Sequence, residues 1–153
     1  MSRQSIGAFY FGDLGLDTRA WVGITRFPEM KMTSLFLILD VEGRMVRGTG
    51  DCEIALNNEN TRRLVTLIRE ASSISPEEDH LWQRIGEAEF HWSDKLRTGE
   101  MEDFGLVIVE SNGSAARMTI QFTIRPVEPY VATFSLADVN KLSAFLTRAL
   151  SKQ

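Results

Sequence analysis

Two stretches of the chain repeat one another, and this repetition decides the fold. Residues 52–71 read CEIALNNENTRRLVTLIREA, and residues 130–149 read YVATFSLADVNKLSAFLTRA. Leu64 and Leu142 set a shift of 78 residues, which also aligns the apolar positions that precede each helix. Each copy has the pattern of a strand that runs into a capped helix. Because a unit of this kind rarely buries a core alone, we expect the two copies to share one core.

The residues before each repeated stretch predict further strands. Apolar, aromatic and β-branched runs predict strands at 6–11, 20–27 and 34–41, and the last of these is apolar at both alternating sets. A fourth strand is expected over 44–56, where Gly48 and Gly50 indicate either a bulge in one strand or a break between two. Asn57, Asn58 or Asn60 can cap the following helix.

The second half repeats this order of elements after a linker at 72–79. Strands are predicted at 81–92, 104–110, 118–125 and 130–134, and Asn112-Gly113 is a strong hairpin signal between the middle two. The last helix starts at a capping pattern of Ser135 and Asp138. We therefore predict an α+β fold of tandem ββββα repeats, with two antiparallel sheets packed together and two helices. It forms a single pseudo-symmetric domain over 1–153, with one unit at 1–75 and the other at 76–153.

Composition excludes several classes of protein. The longest purely apolar run, at 35–39, is far too short to cross a bilayer, and the first residues lack the apolar run of a secretory signal. We expect a cytoplasmic protein with no membrane contact and no cofactor. Cys52 is the single cysteine, and its alternation with Ile54 and Leu56 indicates a buried structural thiol.

Charge divides unevenly between the halves. Residues 1–75 carry 9 basic and 9 acidic side chains, whereas residues 76–153 carry 8 and 12. The excess of carboxylates forms two clusters, and charge complementarity would make them contacts for a basic protein partner. The members of these clusters are Glu77, Glu78, Asp79, Glu100, Glu102 and Asp103.

Basic and aromatic side chains of the first half are candidates for nucleic-acid binding. Single-strand binders combine cations, which contact phosphates, with aromatic planes, on which bases stack. The basic candidates are Arg26, Lys31, Arg44 and Arg47, and the aromatic candidates are Tyr10 and Trp21. The alternative interpretation is that the arginines are scattered and solvated and that the aromatic residues belong to the core.

A third constellation lies on the predicted strand at 81–92. Its period of two places Glu87, Glu89 and His91 on one face. Two carboxylates and an imidazole are weak candidates for a metal site or for acid–base catalysis. The alternative is a solvated strand face, and no second strand supplies an obvious further ligand, so no metal site is predicted.

The order of four strands and a helix, in tandem over the whole chain, resembles the PC4/Whirly group of single-stranded DNA-binding folds and, more loosely, paired PUR repeats. The resemblance rests on element order, since residues 21–27 read WVGITRF and the KGKAAL signature of plant Whirly proteins is absent. It implies two packed antiparallel sheets, contact with single-stranded DNA, and helices that join protomers.

Three functions follow as expectations. The first is a non-enzymatic binding protein that engages single-stranded nucleic acid through a sheet face. The second is an acidic interaction module, such as an inhibitor, immunity or assembly factor. The third is a metal-binding protein or enzyme centred on Glu87, Glu89 and His91. A homodimer packed through helices or sheet edges is expected in addition.

Overall fold

The computed structural model describes residues 3–11, 18–41, 50–74, 81–93, 102–124 and 128–152. Within these residues the chain forms two four-stranded antiparallel sheets and two α-helices, which confirms the predicted α+β class and the ββββα order. The first sheet has the order β1-β2-β3-β4 and the second β5-β6-β7-β8, so strands that neighbour in sequence also pair in space.

The first unit consists of four strands followed by a helix. A single 3-10 turn at Pro28–Met30 joins its second and third strands. The elements are β1 Gln4–Tyr10, β2 Thr18–Phe27, β3 Met32–Val41, β4 Gly50–Asn57 and α1 Asn58–Ser73.

The second unit also consists of four strands followed by a helix, and it includes the predicted hairpin. At that hairpin Gly113 has a φ of 85°, and the Asn112 side chain accepts hydrogen bonds from the backbone of Ser114 and Ala115. This is the positive φ that favours glycine in a tight turn. The elements are β5 Gln83–Ser93, β6 Glu102–Ser111, β7 Ala115–Phe122, β8 Tyr130–Ser135 and α2 Leu136–Leu150.

Both helices begin at the predicted caps. The Asn57 side chain accepts a hydrogen bond from the Asn60 amide at 2.8 Å, and the Ser135 hydroxyl accepts one from the Asp138 amide at 3.2 Å. Each cap satisfies one of the amides that the first helical turn leaves without an intrahelical partner. The two caps also stand 78 residues apart, so the repeat extends to the hydrogen bond that starts each helix.

Each helix packs against the sheet of the other unit as well as its own. Helix α1 contacts β5, β6 and β7, helix α2 contacts β1, β2 and β3, and the two helices contact each other. One cluster of buried apolar residues therefore includes both sheets and both helices, from Ile24 and Leu35 to Met118 and Phe134. Neither unit closes this core without the helix of the other.

A bulge in the first strand of each sheet makes room for the helix of the other unit. The register of β1 shifts at Ile6-Gly7 and that of β5 at Ile85-Gly86. A Cβ at Gly7 would lie 3.1 Å from the ring of Phe145 in α2, and a Cβ at Gly86 would lie 2.7 Å from a methyl group of Leu67 in α1. The repeat therefore includes an Ile-Gly bulge at which a side chain of the other unit's helix lies close to the strand.

Alternation along the strands assigns one face of each sheet to the core. In β3, Leu35 and Leu37 are fully buried, but Phe36 and Ile38 are only partly buried. The sequence predicted that both faces of this strand are covered, and the structure differs because no described element packs over the second face. Cys52 is buried on the core side of β4, which confirms the predicted burial of this thiol.

Among the described residues, neither helix has both the length and the apolar composition needed to cross a membrane.

Candidate nucleic-acid interface

The face of the first sheet that points away from the core is the candidate interface. Residues Ala8 and Tyr10 of β1 pair with Gly23 and Trp21 of β2, and Gly23 pairs in turn with Phe36 of β3. Since paired residues point to the same side of a sheet, these five share one face. We call this surface the outer face.

Three aromatic side chains lie on the outer face. Tyr10 is 76% exposed, and Trp21 and Phe36 are partly exposed. The rings of Trp21 and Phe36 meet edge to face, with centroids 5.6 Å apart and planes at 67°. This contact between neighbouring strands fixes the orientation of the indole, so that less rotamer entropy is lost when a ligand stacks on it.

Small residues form the floor beside the aromatic rings. A Cβ placed on Gly23 would lie 3.1 Å from the Trp21 ring, so the indole leans over the glycine and lies along the sheet. Ala8, Gly23 and Thr25 leave an open cleft of about 370 Å³ next to Trp21 and Phe36. A volume of this order suits a small planar group such as a nucleobase.

The charged residues that line this cleft are few and balanced. Arg3 and Glu53 are its charged residues among the described part of the chain, and the Ser34 hydroxyl donates to the Glu53 carboxylate at 3.1 Å. The outer face therefore offers aromatic surface and hydrogen-bonding groups, with little net charge to attract a phosphate backbone.

Arg26 lies on the opposite, core side of β2. It is 1% exposed, and its guanidinium donates to the Lys152 carbonyl at 3.1 Å, the Thr33 hydroxyl at 3.2 Å and the Asn58 side chain at 2.8 Å. Burial and then the charge of Arg62 lower the pKa of Arg26. Its contacts join the end of α2 to the start of α1, so the structure gives Arg26 a structural place away from the outer face.

The second sheet holds a polar residue at the place that corresponds to Arg26. Arg26 pairs with the Gln4 position of β1, and Ser111 pairs with the Gln83 position of β5. The buried Ser111 hydroxyl donates to the Ala71 carbonyl near the end of α1 at 2.8 Å, just as Arg26 donates at the end of α2. Ser111 thus binds a carbonyl in the last turn of α1, and Arg26 binds the carbonyl of Lys152, two residues beyond the end of α2, so each residue anchors the C-terminal end of the helix from the other unit.

The remaining basic candidates divide between the described and undescribed parts of the chain. Lys31 is exposed, follows the 3-10 turn with a φ of 54° and donates its amide to the Pro28 carbonyl at 3.1 Å. It lies at the end of the first sheet from which β3 starts. Arg44 and Arg47 lie outside the described residues.

The predicted acidic clusters also lie largely outside the described residues. This holds for Glu77, Glu78, Asp79 and Glu100. Glu102 and Asp103 are at the start of β6, where they pair with Ser93 and Trp92. Only the backbone of these two residues is described. The six acidic side chains of the predicted clusters therefore cannot be placed on one surface or on separate surfaces.

The three residues of the weak metal candidate do share the outward side of β5, as alternation predicted. Glu87 forms an ion pair with Arg84 at 2.9 Å, and its carbonyl accepts a hydrogen bond from Arg63 at 3.3 Å. Glu89 and His91 line a cleft beside the start of α1. Within the described part of the chain, no group of three or more His, Cys, Asp or Glu side chains is placed to hold a metal ion.

Phe36 is the aromatic residue that the sequence did not single out. It falls in a strand whose alternating sets are both apolar, and such a pattern normally indicates burial on both sides. The available signal was its position relative to Trp21, because antiparallel pairing of β2 with β3 brings the two residues to the same face.

No protein-family model matches the sequence of this chain, and a search of curated proteins found no match.

Proposed function

We propose that the protein is a non-enzymatic binding protein that engages single-stranded nucleic acid on the outer face, with bases stacked on Trp21 and Tyr10. The observation that carries the proposal is the aromatic set on the solvent side of a four-stranded antiparallel sheet. Sheets of this kind bind single strands when two or three aromatic side chains on neighbouring strands present their rings to successive bases.

The position of the two leading residues supports stacking of adjacent bases. Tyr10 and Trp21 are cross-strand partners on the edge strand β1 and its neighbour β2. Rings of such a pair stand close enough to contact neighbouring planar groups of one ligand. Phe36 supports the indole from β3, and the small residues beside it leave space for a base.

The sparse charge of the outer face predicts weak salt dependence. Each phosphate contact to a single strand contributes a slope of about −0.7 in a plot of log K against log salt concentration. Arg3 and Lys31 are the described cations named for this sheet, and two phosphate contacts would give a slope of about −1.4, so we expect a slope no steeper than about −2. Fluorescence anisotropy with a labelled oligothymidylate from 20 to 300 mM salt measures this slope. Binding that is lost completely at moderate salt would favour a basic surface elsewhere.

The Trp21→Ala variant tests the stacking directly. Loss of one base–aromatic stack weakens single-strand binding by about 1–3 kcal/mol, so we expect the dissociation constant to rise at least about fivefold. The Trp21 side chain is only partly buried, so the fold should survive the change.

Trp82→Ala is the matched control for this variant. Trp82 precedes the second sheet and lies against Arg117, with the guanidinium carbon 4.3 Å from the ring centroid. Its removal should leave oligonucleotide affinity unchanged. Equal losses in the two variants, or no binding by the parent protein at 20 mM salt, would contradict the proposal.

A further inference from the structure

A second cleft lies between the two units and is lined by residues of both. It has a volume of about 640 Å³ and opens between the first turn of α1 and the strands β5 and β6. This volume is in the range of sites that bind small organic molecules. We call it the inter-unit cleft, and none of its lining residues belongs to the outer face.

Apolar side chains from both units form the walls of the inter-unit cleft. Met32 comes from the first unit, and Leu106 and the 50% exposed Phe104 come from β6. The ring of Phe90 lies beneath them and is 3% exposed. An aromatic side chain half exposed at the mouth of a cleft offers a ring face and edge to an apolar or cationic group.

Asn57 and Asn60, at the start of α1, form one border of the cleft and are hydrogen-bonded to each other. The Asn57 side chain accepts hydrogen bonds from the Asn60 backbone amide at 2.8 Å and the Asn60 side-chain amide at 3.1 Å. The Asn60 oxygen accepts the Glu89 backbone amide at 3.1 Å. The last of these bonds satisfies one backbone amide on the edge of β5 and ties Glu89 to the first turn of α1.

The polar groups that remain point to the charge of a ligand. Among the described residues, the side chains of Glu89 and His91 form no hydrogen bond or ion pair, and both line the cleft. Glu89 is the one carboxylate in this described lining, which contains no lysine or arginine. Arg62 and Arg63 line the adjacent cleft on the α1 side of Glu89, and Arg63 donates to the Glu87 carbonyl. A carboxylate beside an exposed phenyl ring favours a cation that carries apolar surface.

We propose that the inter-unit cleft binds an organic ammonium ion with an attached apolar group. The ammonium pairs with the Glu89 carboxylate, the apolar group packs between Phe104 and Leu106, and the His91 imidazole lies beside the ammonium. Glu89 and His91 alternate with Phe90 on β5, so their spacing is fixed by the strand. The shared chemistry fits both a free amine and the side chain of a lysine in a partner.

A series of three phenethyl compounds tests the charge preference. Phenethylammonium, 2-phenylethanol and phenylacetate differ chiefly in the charge of one end, and their binding to the full chain is measured by amide chemical-shift titration. We expect the affinity to fall from the ammonium to the alcohol to the carboxylate, with the largest shifts at Glu89, Phe104 and Asn60. Equal affinities for the three, or no shifts in the cleft at 10 mM ammonium compound, would overturn the proposal.

Two variants separate the carboxylate from the ring. Glu89→Gln should weaken ammonium binding about two- to fivefold, the range for a partly exposed ion pair, and leave the alcohol unaffected. Phe104→Leu should weaken both compounds. Glu70→Gln, on the exposed side of α1, is the matched control and should change neither. An unchanged ammonium affinity in Glu89→Gln would contradict the assignment of Glu89.

A final arm identifies the source of the ammonium. Nα-acetyl-lysine amide carries an ammonium group on an alkyl chain. A higher affinity for it than for phenethylammonium indicates a lysine side chain of a partner. The reverse order indicates a free aromatic amine. Neither ligand should bind the Glu89→Gln variant as tightly as the parent chain. Trp21→Ala should leave both affinities unchanged, which separates this site from the outer face.

Discussion

Replacement of Gly105 by alanine is expected to destabilise the protein by about 3 kcal/mol or more. Gly105 is buried in β6, where a Cβ would collide with the backbone oxygen of Gln121 and would lie 2.8 Å from the ring of Phe90. Gln121 belongs to β7, the paired neighbour of β6, so the clash is with a backbone that cannot rotate away. The sheet must open locally or the Phe90 ring must leave the core, and either response costs packing.

Gly23→Ala is the matched control, since Gly23 occupies the corresponding second strand of the first sheet. A Cβ there would meet the edge of the Trp21 ring at 3.1 Å and only ordinary contacts beyond it. That ring is a side chain at the surface and can shift, so we expect a loss below about 1 kcal/mol. Chemical denaturation of both variants gives the comparison. Equal stability of the two variants would contradict the close approach of the β6 and β7 backbones at Gly105.

Removal of the Arg26 side chain should produce the second large loss of stability. Arg26→Ala leaves acceptors on Lys152, Thr33 and Asn58 without their donor and opens a space in the core. Hydrogen bonds to charged groups contribute about 1.5–3 kcal/mol each, and their losses at one residue do not add fully. We expect a decrease of about 3–5 kcal/mol in the free energy of unfolding.

Two further variants show which property of Arg26 matters. Arg26→Lys keeps the charge but loses the planar fork that reaches several acceptors, so it should recover less than half of the loss. Arg62→Ala removes an exposed positive charge that opposes the charge of Arg26, and it should be neutral or slightly stabilising. Full stability of Arg26→Ala would mean that the end of α2 does not depend on this contact.

Much of the fold was predictable because local patterns specify it. The 78-residue shift gave two units of the same build, and the caps at Asn57 and Ser135 and the Asn112-Gly113 turn are confirmed by their hydrogen bonds. The exchange of helices between units was not predicted. An apolar stripe along a helix shows that one face is buried, and it does not show which sheet covers that face.

Two further features of the fold have signals in the sequence. Arg26 lies two and four residues after Ile24 and Val22, which are both buried. Alternation along β2 therefore places Arg26 on the core side of the sheet. The pair Ile6-Gly7 recurs at Ile85-Gly86, with a phenylalanine four residues after each glycine. This recurrence marks β1 and β5 as equivalent strands. Its structural reason is that the helix of the other unit packs against the glycine in each strand.

The candidate interface was predictable only in part. Tyr10 and Trp21 lie together on the outer face, Lys31 lies at the end of the same sheet, and Arg26 lies in the core. Alternation along β2 indicates the side of the sheet on which Arg26 lies, but the sequence does not show which basic residues of different strands lie near one another, because that depends on strand register. The proposed function therefore depends mainly on the aromatic side chains of the outer face and less on the basic residues.

Quenching of a single tryptophan tests the proposed stacking most directly. The chain has three tryptophans, and a Trp82→Phe/Trp92→Phe variant retains Trp21 alone. Titration of this variant with oligothymidylate should quench the indole emission in a saturable way, with the same midpoint as the anisotropy titration, because a stacked base contacts the ring. Saturable binding by anisotropy without any change in Trp21 emission would contradict the central claim that bases stack on the outer face.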